Sequence, residues 1–154
     1  MSLVLGQFSN MEGVDLTKID TKYPILQSGQ LLPFEITEVK VDDNKNKDGK
    51  LLIIDLKLDA PALDKEGKEV QPGFKNKSRI GLTPSGGRDQ NMIVRDICIL
   101  LDAIYGEAGR KAIDLSTFDF NNIVGSKLTC RTFINPAKDG FDESTGLKFV
   151  AKSA

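Results

Sequence analysis

The chain has 154 residues, 40% hydrophobic and 28% charged, with a formal net charge of −1. This is the balance of one globular domain with enough apolar side chains for a real core, and it points to no strongly charged partner. The absence of histidine excludes any mechanism that uses a histidine base, and with only two isolated cysteines a zinc site is not expected.

No apolar run reaches membrane-spanning length, and the opening residues MSLVLGQFSN lack the basic-then-apolar order of a signal peptide. Cys98 and Cys130 fall in apolar-periodic segments without CxxC spacing. They read as buried, reduced thiols of a cytoplasmic protein, and the spacing gives no support to a disulfide.

Residues 1–30 mix weak apolar groups with Gly, Asn, Asp, Thr and Ser, and read as an irregular N-terminal arm that carries at most one short strand. The domain proper is expected over residues 31–154. Its first strand is LPFEITEVKV (32–41). Phe34 and Ile36 share one face while Val39 and Val41 fall on the other, so a bulge is expected near Thr37–Glu38.

The next stretch, NKNKDGKLLIID (44–55), resembles a calcium loop. Asn44, Asn46, Asp48 and Asp55 fall on ligand positions and Gly49 on the turn position. Three lysines (Lys45, Lys47, Lys50) crowd the same loop, and the flanks read as strands rather than helices. A β-hairpin turn closed by Asp-Gly is therefore the expectation, with no bound metal. The second strand, LLIIDLKL (51–58), buries Leu52, Ile54, Leu56 and Leu58.

A polar connection with Pro and Gly punctuation (60–73) leads to a third strand, FKNKSRIGL (74–82). Phe74, Asn76, Ser78, Ile80 and Leu82 share one side; Lys75, Lys77 and Arg79 share the other. The turn-rich 83–90 follows. In NMIVRDICILLDAIYG (91–106), Ile93, Ile97, Leu100, Leu101 and Ile104 recur at helical spacing. Asp89 or Asn91 is placed to cap the start and Gly106 to end it. A second helical piece over 107–113 is compatible with its composition. The fourth strand, SKLTCRTFI (126–134), points Leu128, Cys130, Thr132 and Ile134 inward and Thr129, Arg131 and Phe133 outward. After a long turn (135–146), LKFVAK (147–152) is the last strand, with Phe149 toward the core.

Five strands with one helix between the third and fourth is the order of an OB-fold, so the expected class is mainly β, a five-stranded OB-fold-like barrel. Such barrels bind ligands on the middle strands and on the loops joining strands one–two and four–five. Those places carry Lys50, the row Lys75, Lys77 and Arg79, the pair Arg131 and Phe133, and Lys138 with Phe141. Basic groups that follow a phosphate backbone, interleaved with rings that stack on bases, are what single-stranded nucleic-acid binding requires. A lysine row can equally be a solvated strand face, and Phe133 can equally pack under the long last loop.

Three stretches, LPFEITEVKV…DGKLLIIDLKL, DICILLDAIYG and IVGSKLTCRTFINPAKDG…GLKFVAK, together give a layout over roughly residues 31–152 that resembles a small phage-type single-stranded-DNA-binding protein. The resemblance implies a non-catalytic OB-fold module of viral DNA replication or recombination, acting in the host cytoplasm without a cofactor. Better-known bacterial relatives of that family end in an acidic, partner-recruiting tail, and the stretch FVAKSA is not of that kind. The implied partner is single-stranded nucleic acid, DNA above RNA, with no membrane; a homo-oligomer is compatible. The alternative is a structural or interaction protein, such as a phage particle component, on a similar barrel with merely solvated lysines.

Overall fold

A computed structural model describes residues 3–18, 23–43, 49–84, 89–138, 140 and 142–152. The main sheet is antiparallel and built from β1 (Leu31–Asp43), β2 (Lys50–Leu58), β5 (Lys75–Gly81), β6 (Lys127–Asn135) and β7 (Ser144–Val150). Two short strands, β3 (Ala62–Leu63) and β4 (Glu69–Val70), form a separate hairpin. The helix α1 (Gln90–Lys111) lies between β5 and β6 in the chain.

The strand order across the sheet is β5-β2-β1-β6-β7. The expected five strands and helix are present, but the expected closed barrel is not: among the described residues no backbone ladder joins the edge strands β5 and β7. Other groups span that seam. Asn76 Nδ2 donates to the carbonyl of Thr145 at 3.0 Å. The Tyr23 hydroxyl donates to the Lys75 carbonyl at 2.9 Å and accepts from the Lys75 N–H at 2.8 Å. Leu26 is fully buried and its N–H donates to Thr145 Oγ1. α1 packs against β5, β6 and β7. Residues 23–30, read from sequence as part of the arm, are thus folded into the domain. The Gln30 N–H donates to the buried Thr132 hydroxyl, which in turn donates to the Gln27 carbonyl.

The bulge falls between Ile36 and Glu38, where the β1–β2 register shifts. Before it, Phe34 and Ile36 pair with Leu58 and Leu56; after it, Val39 pairs with Ile54. The extra residue returns Val39 to the side of Phe34 and Ile36, which resolves the slip in the sequence pattern. Leu52, Ile54, Leu56 and Leu58 are buried as expected, against Phe34, Phe74, Ile80 and the helix row Ile93, Ile97, Leu100 and Leu101. At roughly 1.5–3 kcal/mol per fully buried large apolar side chain, this cluster is the main favourable term in folding.

The 60–73 connection holds more order than its polar composition suggests. Asp64 Oδ1 accepts from the N–H groups of Glu66 and Lys68, and Gly67 takes φ 82°, so the segment closes as the β3–β4 hairpin. Asp89 caps α1 by accepting from the Met92 N–H. Gly106, at φ 77° and ψ 166°, breaks the helix into the two pieces that the sequence suggests. The break frees the Asp102 carbonyl, which accepts from the Lys152 N–H and ties the end of β7 to the helix.

Candidate nucleic-acid interface

β-strand alternation places the candidate side chains. Phe74, just before β5, and Ile80 on it are buried while Lys75, Lys77 and Arg79 are exposed, so the basic row stands on the outer face. On β6, Leu128, Cys130 and Thr132 are buried, Arg131 is exposed and Phe133 is half-buried.

The ladders determine what stands beside each cation. Lys77 lies opposite Asp55 on β2, and Asp55 lies opposite Glu38 on β1. Arg79 lies opposite Ile53, with Lys40 beyond it. Lys75 lies opposite Lys57, with Glu35 beyond it. The outer face of β1, β2 and β5 is therefore mixed in charge. Lys77 Nζ is 3.8 Å from Asp55 Oδ1, an oxygen that is buried without a hydrogen-bond partner among the described residues. A lone buried carboxylate oxygen holds a nearby cation, because leaving it unpaired is costly. Lys77 is thus tied to Asp55, while Lys75, Arg79 and Arg131 have no acidic partner among the described residues. Lys50 pairs with Asp43 at 2.5 Å where the β1–β2 hairpin ends, and its pKa is raised by that bond. Lys138 is exposed on the β6–β7 connection. Phe141 lies outside the described residues.

At the other side of the sheet, Arg131 lies opposite Lys148 on β7 and, on its other side, opposite Leu31 of β1 in the same row. Phe133 lies opposite Gly146. A Cβ built on Gly146 would sit 2.2 Å from Phe133 Cζ, so the ring rests on the bare glycine backbone. The Lys148 amine stands 5.5 Å from the ring centroid, within cation–π range. The ring is covered on one side by Gly146, the last residue of the stretch 135–146 read from sequence as the long loop and here part of β7, and keeps another part exposed. Lys148 and Gly146 escaped the sequence reading. Alternation with Leu147 and Phe149 would have turned Lys148 outward, but only the register shows that it meets Arg131.

Two strands, β2 and β1, separate the cations of β5 from Arg131 on β6. Counted along β1, the Arg131 row and the Arg79 row are nine residues apart, roughly 30 Å of strand. Curling of the sheet brings its edges together. Lys75 and Lys77 flank Asn76, which bonds to Thr145, and Gly146 beneath the Phe133 ring is the next residue. The seam thus gathers Lys75 and Lys77 from β5 with Phe133 and Lys148 from β6 and β7. A cavity of about 120 Å³ opens there, lined by Tyr23, Phe74, Asn76 and Glu143 among others. Glu143 also forms an ion pair with Lys65.

The calcium-loop residues Asn44, Asn46 and Asp48 lie outside the described residues. Their frame does not: β1 and β2 pair as far as Asp43 opposite Lys50, so strands flank the loop on both sides. Asp55 is on the outer sheet face beside Lys77. Both cysteines are free thiols; Cys130 is buried, and burial pushes its pKa up to about 12, while Cys98 is half-buried. No helix among the described residues is long and apolar enough to cross a membrane. No protein-family model and no curated protein sequence matches the chain.

Proposed function

We propose that this chain is a non-catalytic single-stranded nucleic-acid-binding module of the OB type, DNA being the favoured ligand, of the kind that serves viral DNA replication or recombination in a host cytoplasm. The strand order supports it. β5-β2-β1-β6-β7 with a helix between the third and fourth long strands is the order of that barrel, opened at one seam.

The observation that carries the proposal is the group Arg131, Phe133 and Lys148. Two cations without acidic partners among the described residues share the strand face of a partly exposed ring that is seated on a glycine, and one of them, Lys148, stands over the ring. A ring offers a stacking face that is indifferent to base identity, and adjacent cations follow the phosphates. The direct test is fluorescence anisotropy of a labelled oligo-dT strand against the protein in a salt series. Arg131→Ala and Phe133→Ala each weaken binding, the latter by about tenfold or more, since stacking contributes about 1–3 kcal/mol per base. Affinity unchanged in both variants overturns the assignment.

A second reading is kept by one observation. The face of β1, β2 and β5 interleaves Glu35, Glu38 and Asp55 with its cations, which is the pattern of a solvated surface on a structural or interaction protein. Absence of any salt-sensitive binding to single strands favours that reading.

A further inference from the structure

We infer that the Tyr23 ring is a second base-stacking platform, which carries a single nucleic-acid strand across the seam between β5 and β7. The inference rests on the proposed function and adds to it a position outside the sheet. Tyr23 is 61% exposed, yet it is not a loose surface ring. Its hydroxyl donates to the Lys75 carbonyl at 2.9 Å and accepts from the Lys75 N–H at 2.8 Å. Phe74, itself buried, lies against the ring with centroids 4.9 Å apart and planes tilted by 31°. A tyrosine at a surface ordinarily buries its ring and turns its hydroxyl to water. Tyr23 is the reverse: its polar end is engaged at the edge of β5, and its apolar body faces solvent. A ring fixed in this way takes a flat partner without the ordering cost that a mobile side chain incurs on binding.

Charge and position select the partner. Beside the ring, the seam cavity is lined by Lys75, Asn76, Ser144 and Thr145. Lys75 is exposed and has no acidic partner among the described residues. The carboxylate that also lines the cavity, Glu143, is neutralised by Lys65. A phosphate is therefore attracted there rather than repelled. A short chain of contacts links this ring to Phe133. The Lys75 main chain holds Tyr23, the next residue, Asn76, bonds across the seam to Thr145, and the residue after that, Gly146, seats Phe133. The two rings thus stand on opposite sides of one seam, Tyr23 with Lys75 and Phe133 with Lys148. A ring and a cation on each side repeats the unit that a single strand uses, a stacking face for a base and a charge for a phosphate. A purely structural strap needs only the hydroxyl, and would serve as well with the ring buried.

The composition supplies the probe. The chain has two tyrosines and no tryptophan, so its intrinsic emission comes from Tyr23 and from Tyr105, which lies on α1 edge-on to Phe118. Oligo-dT is titrated with two readouts, anisotropy of a labelled strand and tyrosine emission. In Tyr105→Phe, where Tyr23 is the only emitter, binding quenches most of the emission, because a stacked base quenches the ring beneath it. In Tyr23→Phe the ring survives, so affinity stays within about twofold of the parent while the quenching is lost; Tyr23→Leu weakens binding about tenfold or more, in the range for stacking of one base. Binding with unquenched emission in Tyr105→Phe overturns the inference and leaves the proposed function standing. That variant does not touch the seam, so it decides the matter even where loss of the hydroxyl unfolds Tyr23→Phe. Equal loss of affinity in Tyr23→Phe and Tyr23→Leu also overturns it, and assigns the residue to the strap alone. No binding of oligo-dT by anisotropy removes the proposed function, and this inference with it.

Discussion

The packing of Phe133 on Gly146 makes a double-mutant cycle decisive. Gly146 is buried on β7 and sits outside the left-handed region, so its backbone accepts an alanine without strain. The obstacle is the ring: the new Cβ would lie 2.2–2.7 Å from three Phe133 ring atoms. Those atoms are the far end of a half-buried side chain, so the ring swings outward rather than the strand moving. Gly146→Ala therefore costs what the seated ring contributes. Full truncation of a buried phenylalanine costs about 3–5 kcal/mol; a ring with one face covered contributes a fraction of that, about 1–2 kcal/mol. Phe133→Ala should lose a similar amount. In the double variant the obstacle is gone, and alanine in a strand is better than glycine by roughly 0.5–1 kcal/mol. The double variant is thus about as stable as Phe133→Ala alone or slightly more stable, which gives a coupling energy of about 1–2 kcal/mol. Urea unfolding of the four proteins measures it. Equal cost of Gly146→Ala in both backgrounds would refute the seating of the ring on that glycine.

Three further predictions rest on other parts of the fold. If the outer-face cations meet phosphates, removing one such cation makes the log–log salt dependence of binding shallower by about 0.7. Arg79→Ala should show that change and Lys77→Ala much less of it, because Asp55 already holds Lys77; anisotropy titrations in a salt series compare the two. Cys130 has its pKa raised by burial from 9.0 to about 12, so its contribution to stability is complete below pH 9 and is lost as pH rises from 9 toward 12. Denaturation of Cys130→Ala should lack that part of the alkaline decline, up to about 1.4 kcal/mol per pH unit in the parent, and a thiol reagent should label Cys98 well before Cys130 in the folded protein. Tyr23→Phe removes both hydrogen bonds to Lys75 while leaving the ring on Phe74, 4.9 Å away; the expected loss is about 1–3 kcal/mol in urea unfolding, and no loss would mean that the strap at residue 23 does not hold the seam.

Period-two alternation determined most of the strand faces without help. The inward rows of β2, β5 and β6 and the outward Lys75, Lys77, Arg79 and Arg131 all follow from it, because successive side chains of a strand must point to opposite faces. The helical row ending at Gly106 was legible for the same kind of reason, and the phase slip of Phe34–Ile36 against Val39–Val41 announced the bulge. Partnership was not legible. Whether Lys77 meets Asp55 or solvent, and whether Phe133 meets a loop or Gly146, depends on register between strands far apart in the chain, and a local pattern contains no register. The order in Asp64–Lys68 hung on one carboxylate accepting two amides, and the burial of Leu26 on a groove that exists only once β5 and β7 approach. Closure itself was a tertiary matter: five strands in barrel order can close or stay open, and here a side-chain bond from Asn76, the Tyr23 strap and the helix occupy the place where a fifth ladder would have run.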